Sequence, residues 1–173
     1  MEVSIAQDDT TLQSQLPPGY TLRPPTLADV PATVAMLNAN SLATIGTPSF
    51  TEDELAADWQ EPGFSLDTDS RVVTAPDGQL AGMIDSFCRP PYVRHTSWGR
   101  VHPAHLGLGV GTLLTQWAEE RARQRMAAAP PDARVTVRCQ NSERDRAAAD
   151  MLKALGYQHV RSTYTMQIEL TDQ

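Results

Sequence analysis

The stretch Gly107-Leu108-Gly109-Val110-Gly111 constrains this chain more than any other. Three glycines at alternate positions join a segment that reads as a strand, ending near Val101-His102-Pro103, to an amphipathic run from about Leu108 to Met126. Along that run Val110, Leu113, Leu114, Trp117 and Arg121 keep helical spacing, and Glu119 and Arg123 form an i,i+4 pair. The first N–H groups of a helix have no carbonyl partner within it, and the helix dipole adds positive potential at that end. A helix opening on glycines therefore holds a phosphate group by backbone alone. The missing side chains let the ligand come close.

Two common phosphate-binding patterns do not fit. The dinucleotide pattern is Gly-x-Gly-x-x-Gly in an opening βαβ unit, whereas here the glycines alternate and follow a hairpin. The P-loop requires a lysine before its Ser or Thr, and no lysine precedes Thr112.

The elements around the turn can be read in order. Residues 1–19 are polar, end in Pro17-Pro18-Gly19, and read as a flexible arm. Residues 20–173 read as a single domain. Tyr20 to Arg23 is a short strand. Thr26 caps a helix carrying Val30, Val34 and Leu37, and Thr51 caps another through about Trp59. Arg71–Ala75 and Leu80–Cys88 form a hairpin about Pro76-Asp77-Gly78-Gln79, where proline presets the bend and glycine takes positive φ. A further strand runs from about Val93 to Val101. After the glycine-led helix come a strand at Val135–Cys139 and a last helix capped by Asn141 or Ser142. That helix ends at Gly156, and His159 to Leu170 supplies one long or two short final strands. Hairpins followed by α-crossovers imply a mixed α+β fold with helices on the faces of one sheet.

Composition narrows the function classes. The net charge of −7 argues against nucleic acid as a partner. No apolar run reaches the roughly 18 residues a membrane helix needs, and the start at Met1 carries no secretory pattern, so the expected location is cytoplasmic. Cys88 and Cys139 fall in strand-like segments and read as buried thiols. His102 and His105 lack a third ligand nearby, and no metal is expected.

Val101-x-Pro103-x-x-x-Gly107-x-Gly109-x-Gly111, followed by an amphipathic helix, resembles the pyrophosphate loop of the GNAT (Gcn5-related) N-acetyltransferases. The closing Leu155-Gly156-Tyr157 is similar to the end of that family's C-terminal half. The likeness spans roughly residues 70–170 and is weaker over 20–60. Residues 156–170 also resemble members in which two such domains occur in one chain.

The resemblance implies a central twisted mixed sheet of about six to seven strands flanked by about four helices, with acetyl-CoA as co-substrate. It implies that backbone groups of Gly99, Arg100 and Val101 pair with the pantetheine arm. The amides of Gly107, Leu108, Gly109, Val110, Gly111 and Thr112 would hold the pyrophosphate. The expected reaction is direct acetyl transfer to a primary amine of a small molecule, in a ternary complex. A CoA-binding sensor or partner module without efficient chemistry is the alternative. A protein N-terminal or lysine acetyltransferase is a third reading, and a homodimer is compatible with all of them.

Two positions depart from the family pattern. Leu106 stands where Arg or Gln is usual, and Leu152 where many members carry a Tyr that protonates the departing thiolate. A thiol with pKa near 8.5 is a fair leaving group without such help. Asp85, His95 and Tyr164 are the expected acid–base residues, with Tyr157 a further hydroxyl.

Overall fold

The computed structural model describes residues 5–164 together with Met166 and Ile168, and side chains from Asp9 onward. Five strands lie side by side in the order β1 (Thr21–Arg23), β2 (Ser70–Thr74), β3 (Leu80–Phe87), β4 (Arg94–Val101) and β5 (Thr136–Cys139). The first four are antiparallel to their neighbours, and β5 runs parallel to β4. The turn between β2 and β3 forms as its residues dictate. Gly78 takes φ +86, its N–H donates to Ala75 O at 2.9 Å, and Asp77 Oδ1 accepts from the Gln79 N–H at 3.0 Å.

Alternation along the strands separates two cores. On one face Val73, Ala81 and Ile84 pack against Val110, Leu113, Leu114 and Trp117 of α5 (Val110–Arg125). On the other, Val72, Leu80 and Met83 pack against α2 (Val30–Ile45) and α3 (Glu52–Trp59). The cap anticipated at Thr51 is present and closes into a capping box: Thr51 Oγ1 accepts from the Glu54 N–H at 3.3 Å, and Glu54 Oε2 accepts from the Thr51 N–H at 3.2 Å. A one-turn helix, α4 (Leu66–Asp69), leads into β2, and α6 (Arg146–Ala154) packs beside α5.

Four expectations need correction. The sheet has five strands among the described residues, not six or seven. Residues 159–164, Met166 and Ile168 lie outside any strand, and the rest of the expected closing segment falls outside the described residues. Val160, Tyr164, Met166 and Ile168 are exposed, so these apolar side chains are not packed on a sheet face. The expected N-terminal arm contains a helix, α1 (Ile5–Gln13). Gln13 bonds Tyr20 O at 2.7 Å and the Leu22 N–H at 2.6 Å, Asp9 pairs with buried Arg71, and Leu16 enters the α5-side core. These partners are distant in sequence, and a mostly polar nonapeptide does not announce them. The last helix is capped by Asp145, whose Oδ1 accepts from the Ala148 N–H at 3.0 Å, rather than by Asn141 or Ser142.

Candidate active site

β4 and β5 pair only from Arg94 to Ser97, opposite Thr136 to Cys139. Beyond Ser97 the two strands part, and Trp98 to Val101 form a free edge. A cavity of ≈ 430 Å³ fills the wedge, walled by Gly99, Arg100, Val101, the glycine turn and the first residues of α6. Asn40 of α2 also lines it.

The register decides which groups face this wedge. Arg100 is paired with Met83, and the His102 N–H donates to Ala81 O at 2.8 Å, so the main chain of Arg100 and His102 turns toward β3. The main-chain groups of Gly99 and Val101 turn the other way, into the wedge. Their carbonyls are already engaged: Arg100 Nη1 donates to Gly99 O at 2.7 Å, and Asn40 Nδ2 donates to Val101 O at 3.1 Å. The edge thus presents the Gly99 and Val101 N–H groups as donors. Of the three backbone positions expected to pair with a pantetheine arm, Gly99 and Val101 face the wedge, while Arg100 contributes its side chain. Gly99 is glycine for a reason set by β3: a Cβ there would sit 2.4 Å from Met83 O.

The glycine turn behaves differently. Gly107 (φ +76) and Gly109 (φ +82) take left-handed backbone, and an added Cβ at either meets nothing within 4 Å. Gly109 is the N-cap of α5 and offers no side-chain cap, so the amides of the first turn keep their donors for a ligand. Val110 itself is buried in the core, and Gly111 packs where a Cβ would lie 3.0 Å from Met151 Sδ. Leu106 is half exposed at the cavity's edge, and Leu152 lines the cavity from α6.

The expected acid–base residues lie elsewhere. Asp85 is buried on the α2/α3 face, cross-strand from Trp98, and accepts from Trp59 Nε1 at 3.2 Å. Its Oδ1 and the neighbouring Ser70 Oγ make no hydrogen bond among the described residues. Burial pushes the Asp85 carboxyl up to about 7. His95 is buried at the far end of β4, its Nε2 3.5 Å from Cys88 Sγ, and burial lowers its pKa. Four residues separate it from Gly99, roughly 13 Å along a strand. Tyr164 is 84% exposed. None of the three is among the residues lining the cavity.

Of the polar groups that do line it, Ser97, Cys139 and His105 drew no acid–base assignment from the sequence. Ser97 Oγ and Cys139 Sγ meet at 2.9 Å where β4 and β5 part. Burial raises the Cys139 pKa and so keeps it a thiol. The buried Tyr157 hydroxyl lies beside Cys139, and burial raises its pKa too. His105 Nδ1 shares a 2.8 Å hydrogen bond with Tyr20 Oη. Only the parallel pairing of β4 with β5 brings Ser97 and Cys139 together; 42 residues separate them in sequence.

The chain that carries this free strand edge and bare, glycine-led helix N-terminus matches the family model of the acetyltransferase (GNAT) family over residues 36–157. The chain belongs to the GNAT family. A GCN5-related N-acetyltransferase from Sphaerobacter thermophilus is 35% identical and superposes with a TM-score of 0.77 over 83% of this chain. The present chain spans only 44% of that protein's length. Two others share the GNAT fold at lower identity. One is yncA of Salmonella typhimurium, described with its cofactor acetyl-CoA (19% identity, TM-score 0.62, 81% of this chain and 80% of that one). The other is a GNAT-family acetyltransferase from Streptococcus pneumoniae (20% identity, TM-score 0.60, 79% and 83%). No curated protein matches the sequence. Among the described residues of this GNAT chain, no helix is long and apolar enough to cross a membrane.

Asp85 marks a pH dependence of stability in this GNAT domain. Its carboxyl titrates near 7 when folded and near 3.9 when unfolded. Between those values the folded chain holds the extra proton, so stability falls as pH rises from about 4 to about 7 and levels off above. Asp85→Asn keeps an acceptor for Trp59 and removes the titration. Thermal melts of the two proteins should coincide near pH 4 and separate by pH 8, with the variant several degrees more stable. Parallel melting curves across that range would exclude a raised carboxyl.

Proposed function

We propose that this chain transfers an acetyl group from acetyl-CoA to a primary amine of a small molecule, by direct attack within a ternary complex. The observation that carries the reading is the continuity of the wedge with the glycine turn. One cavity joins the Gly99 and Val101 N–H donors to the uncapped start of α5. The residues present fit the cofactor. The space beside Gly107 and Gly109 is open, and the first-turn amides of α5 suit a pyrophosphate without a basic side chain.

Within this reading each part has a defined task. Acetyl-CoA supplies an activated thioester. The Val101 N–H, with that of Gly99 beside it, faces the wedge and would donate to an acyl carbonyl held there, stabilising the oxyanion of the tetrahedral state. Ser97 and Cys139 place neutral O–H and S–H donors where the strands separate, close to a departing sulfur. Asp85, near neutrality and walled off by Trp59 and Trp98, holds the α2/α3 face together; proton removal from the amine falls to water or to a group in the cavity.

A second reading, CoA binding without efficient turnover, draws support from Leu106, Leu152 and the position of His95 and Tyr164 outside the cavity lining. Titration calorimetry with CoA and a thiol-release assay with acetyl-CoA and a panel of primary amines separate the two. The proposal expects saturable binding and release of thiol with at least one small amine. Binding with no turnover across the panel favours the second reading, and absence of binding removes both.

A further inference from the structure

We propose that the amine acceptor carries a carboxylate, and that the Arg100 side chain reads it. The proposal rests on the acetyl-transfer reading and adds the substrate class.

The placement of Arg100 comes first. Its cross-strand partner Met83 belongs to the α2/α3 core, so the Arg100 side chain lies on that face of β4, opposite α5. It reaches the cavity from there, its guanidinium 5.2 Å from the Trp98 ring centre. Trp98 in turn packs on Phe50, centre to centre 5.5 Å, in the segment between α2 and α3. A continuous Phe50–Trp98–Arg100 stack therefore runs from that segment to the wedge where the free edge begins.

The charge of Arg100 is the second observation. Three other buried or mostly buried arginines have a carboxylate: Arg71 pairs with Asp9 at 2.9 Å, and Arg121 and Arg125 both pair with Asp69, at 3.0 and 2.7 Å. Arg100 has no ion pair among the described residues. Its hydrogen bonds run from Nη1 to two carbonyls, Gly99 O at 2.7 Å and Gln140 O at 3.3 Å, leaving Nε and Nη2 uncommitted. The carboxylate whose field reaches it is Asp145, which lies beyond ion-pair range and caps α6 through Oδ1. Burial lowers the Arg100 pKa, as expected of a cation taken from water without a full counter-charge. A guanidinium with open N–H groups, backed by an aromatic ring and facing a cavity, is suited to a carboxylate.

Cofactor phosphates are the rival anion. They belong at the start of α5, on the other face of the sheet, which favours the acceptor as the source of the charge. The experiment separates these cases. Wild-type protein saturated with CoA is titrated calorimetrically with N-acetyl amino acids and with the matching N-acetyl amino amides, and the same is done with Arg100→Gln and Arg100→Lys. The expected result is a preference for the carboxylate of about 30-fold, the size of one good charge-assisted contact. That preference should vanish in Arg100→Gln and persist in part in Arg100→Lys. CoA affinity should stay within about threefold in both variants. Equal affinity of wild type for acid and amide overturns the proposal, as does failure to bind either. Loss of CoA affinity in Arg100→Gln with the acid preference intact assigns the side chain to the cofactor and overturns it as well. A wild type that does not bind CoA at all would instead remove the acetyl-transfer reading beneath it.

Discussion

Asp69→Ala should lower the melting temperature by about 10 °C. Asp69 is 1% exposed, and its carboxylate ties α4 to α5. Oδ1 accepts from Arg121 Nε and Nη2, both at 3.0 Å, and from Arg125 Nη2 at 2.7 Å. Oδ2 accepts from Arg125 Nη2 at 2.8 Å and from the Ser65 N–H at 3.1 Å. The end of α4 is thereby fixed to the last turns of α5. Removing the carboxylate leaves two mostly buried guanidiniums facing each other without a counter-charge. Breaking a buried ion pair from one side costs about 3–5 kcal/mol, and a domain of this size loses about 2–4 °C per kcal/mol. Circular dichroism melts at neutral pH test this, and a change below about 2 °C would show the triad to be energetically idle. CoA affinity at 25 °C should be retained, since Asp69 does not line the cavity.

Gly109→Trp should have the opposite signature: a folded protein that no longer binds CoA. A Cβ at Gly109 meets nothing within 4 Å, so a side chain there starts from open space and not from the core. The φ of +82 imposes a strain of about 1–2 kcal/mol on a non-glycine residue, well below the loss expected at Asp69. The open space is the space a pyrophosphate needs, and the bulky ring closes it. Calorimetry should show at least a 100-fold loss of affinity with a melting temperature within about 5 °C of wild type. CoA binding at wild-type strength would place the phosphates elsewhere. Gly99 makes the comparison instructive. There the missing side chain serves the close approach of β3 and β4, and its substitution strikes the sheet before the ligand.

Much of this domain could be read from residues close together in sequence. Turns, caps and amphipathic faces depend on spacings of two to four residues. The hairpin at Pro76-Asp77-Gly78-Gln79, the Thr51 cap and the α5 face were all visible for that reason. The missed features depend on contacts far apart in the chain. α1 owes its place to Arg71, Tyr20 and Leu22. His95 looked available because a strand pattern shows alternation without showing which end of the strand meets the cavity. Asp85 looked available because its walls, Trp59 and Trp98, come from two other elements.

The glycine turn, the strand before it and the helix after it were fixed by the sequence alone, because backbone freedom and helix periodicity are local properties. Which backbone groups point into the wedge was decided by the tertiary structure. The register of β4 on β3 turns Gly99 and Val101 toward the cavity, turns the Arg100 main chain away, and sends the Arg100 side chain to the α2/α3 face. A one-residue slip would invert all three assignments, and only pairing with a distant strand sets that phase.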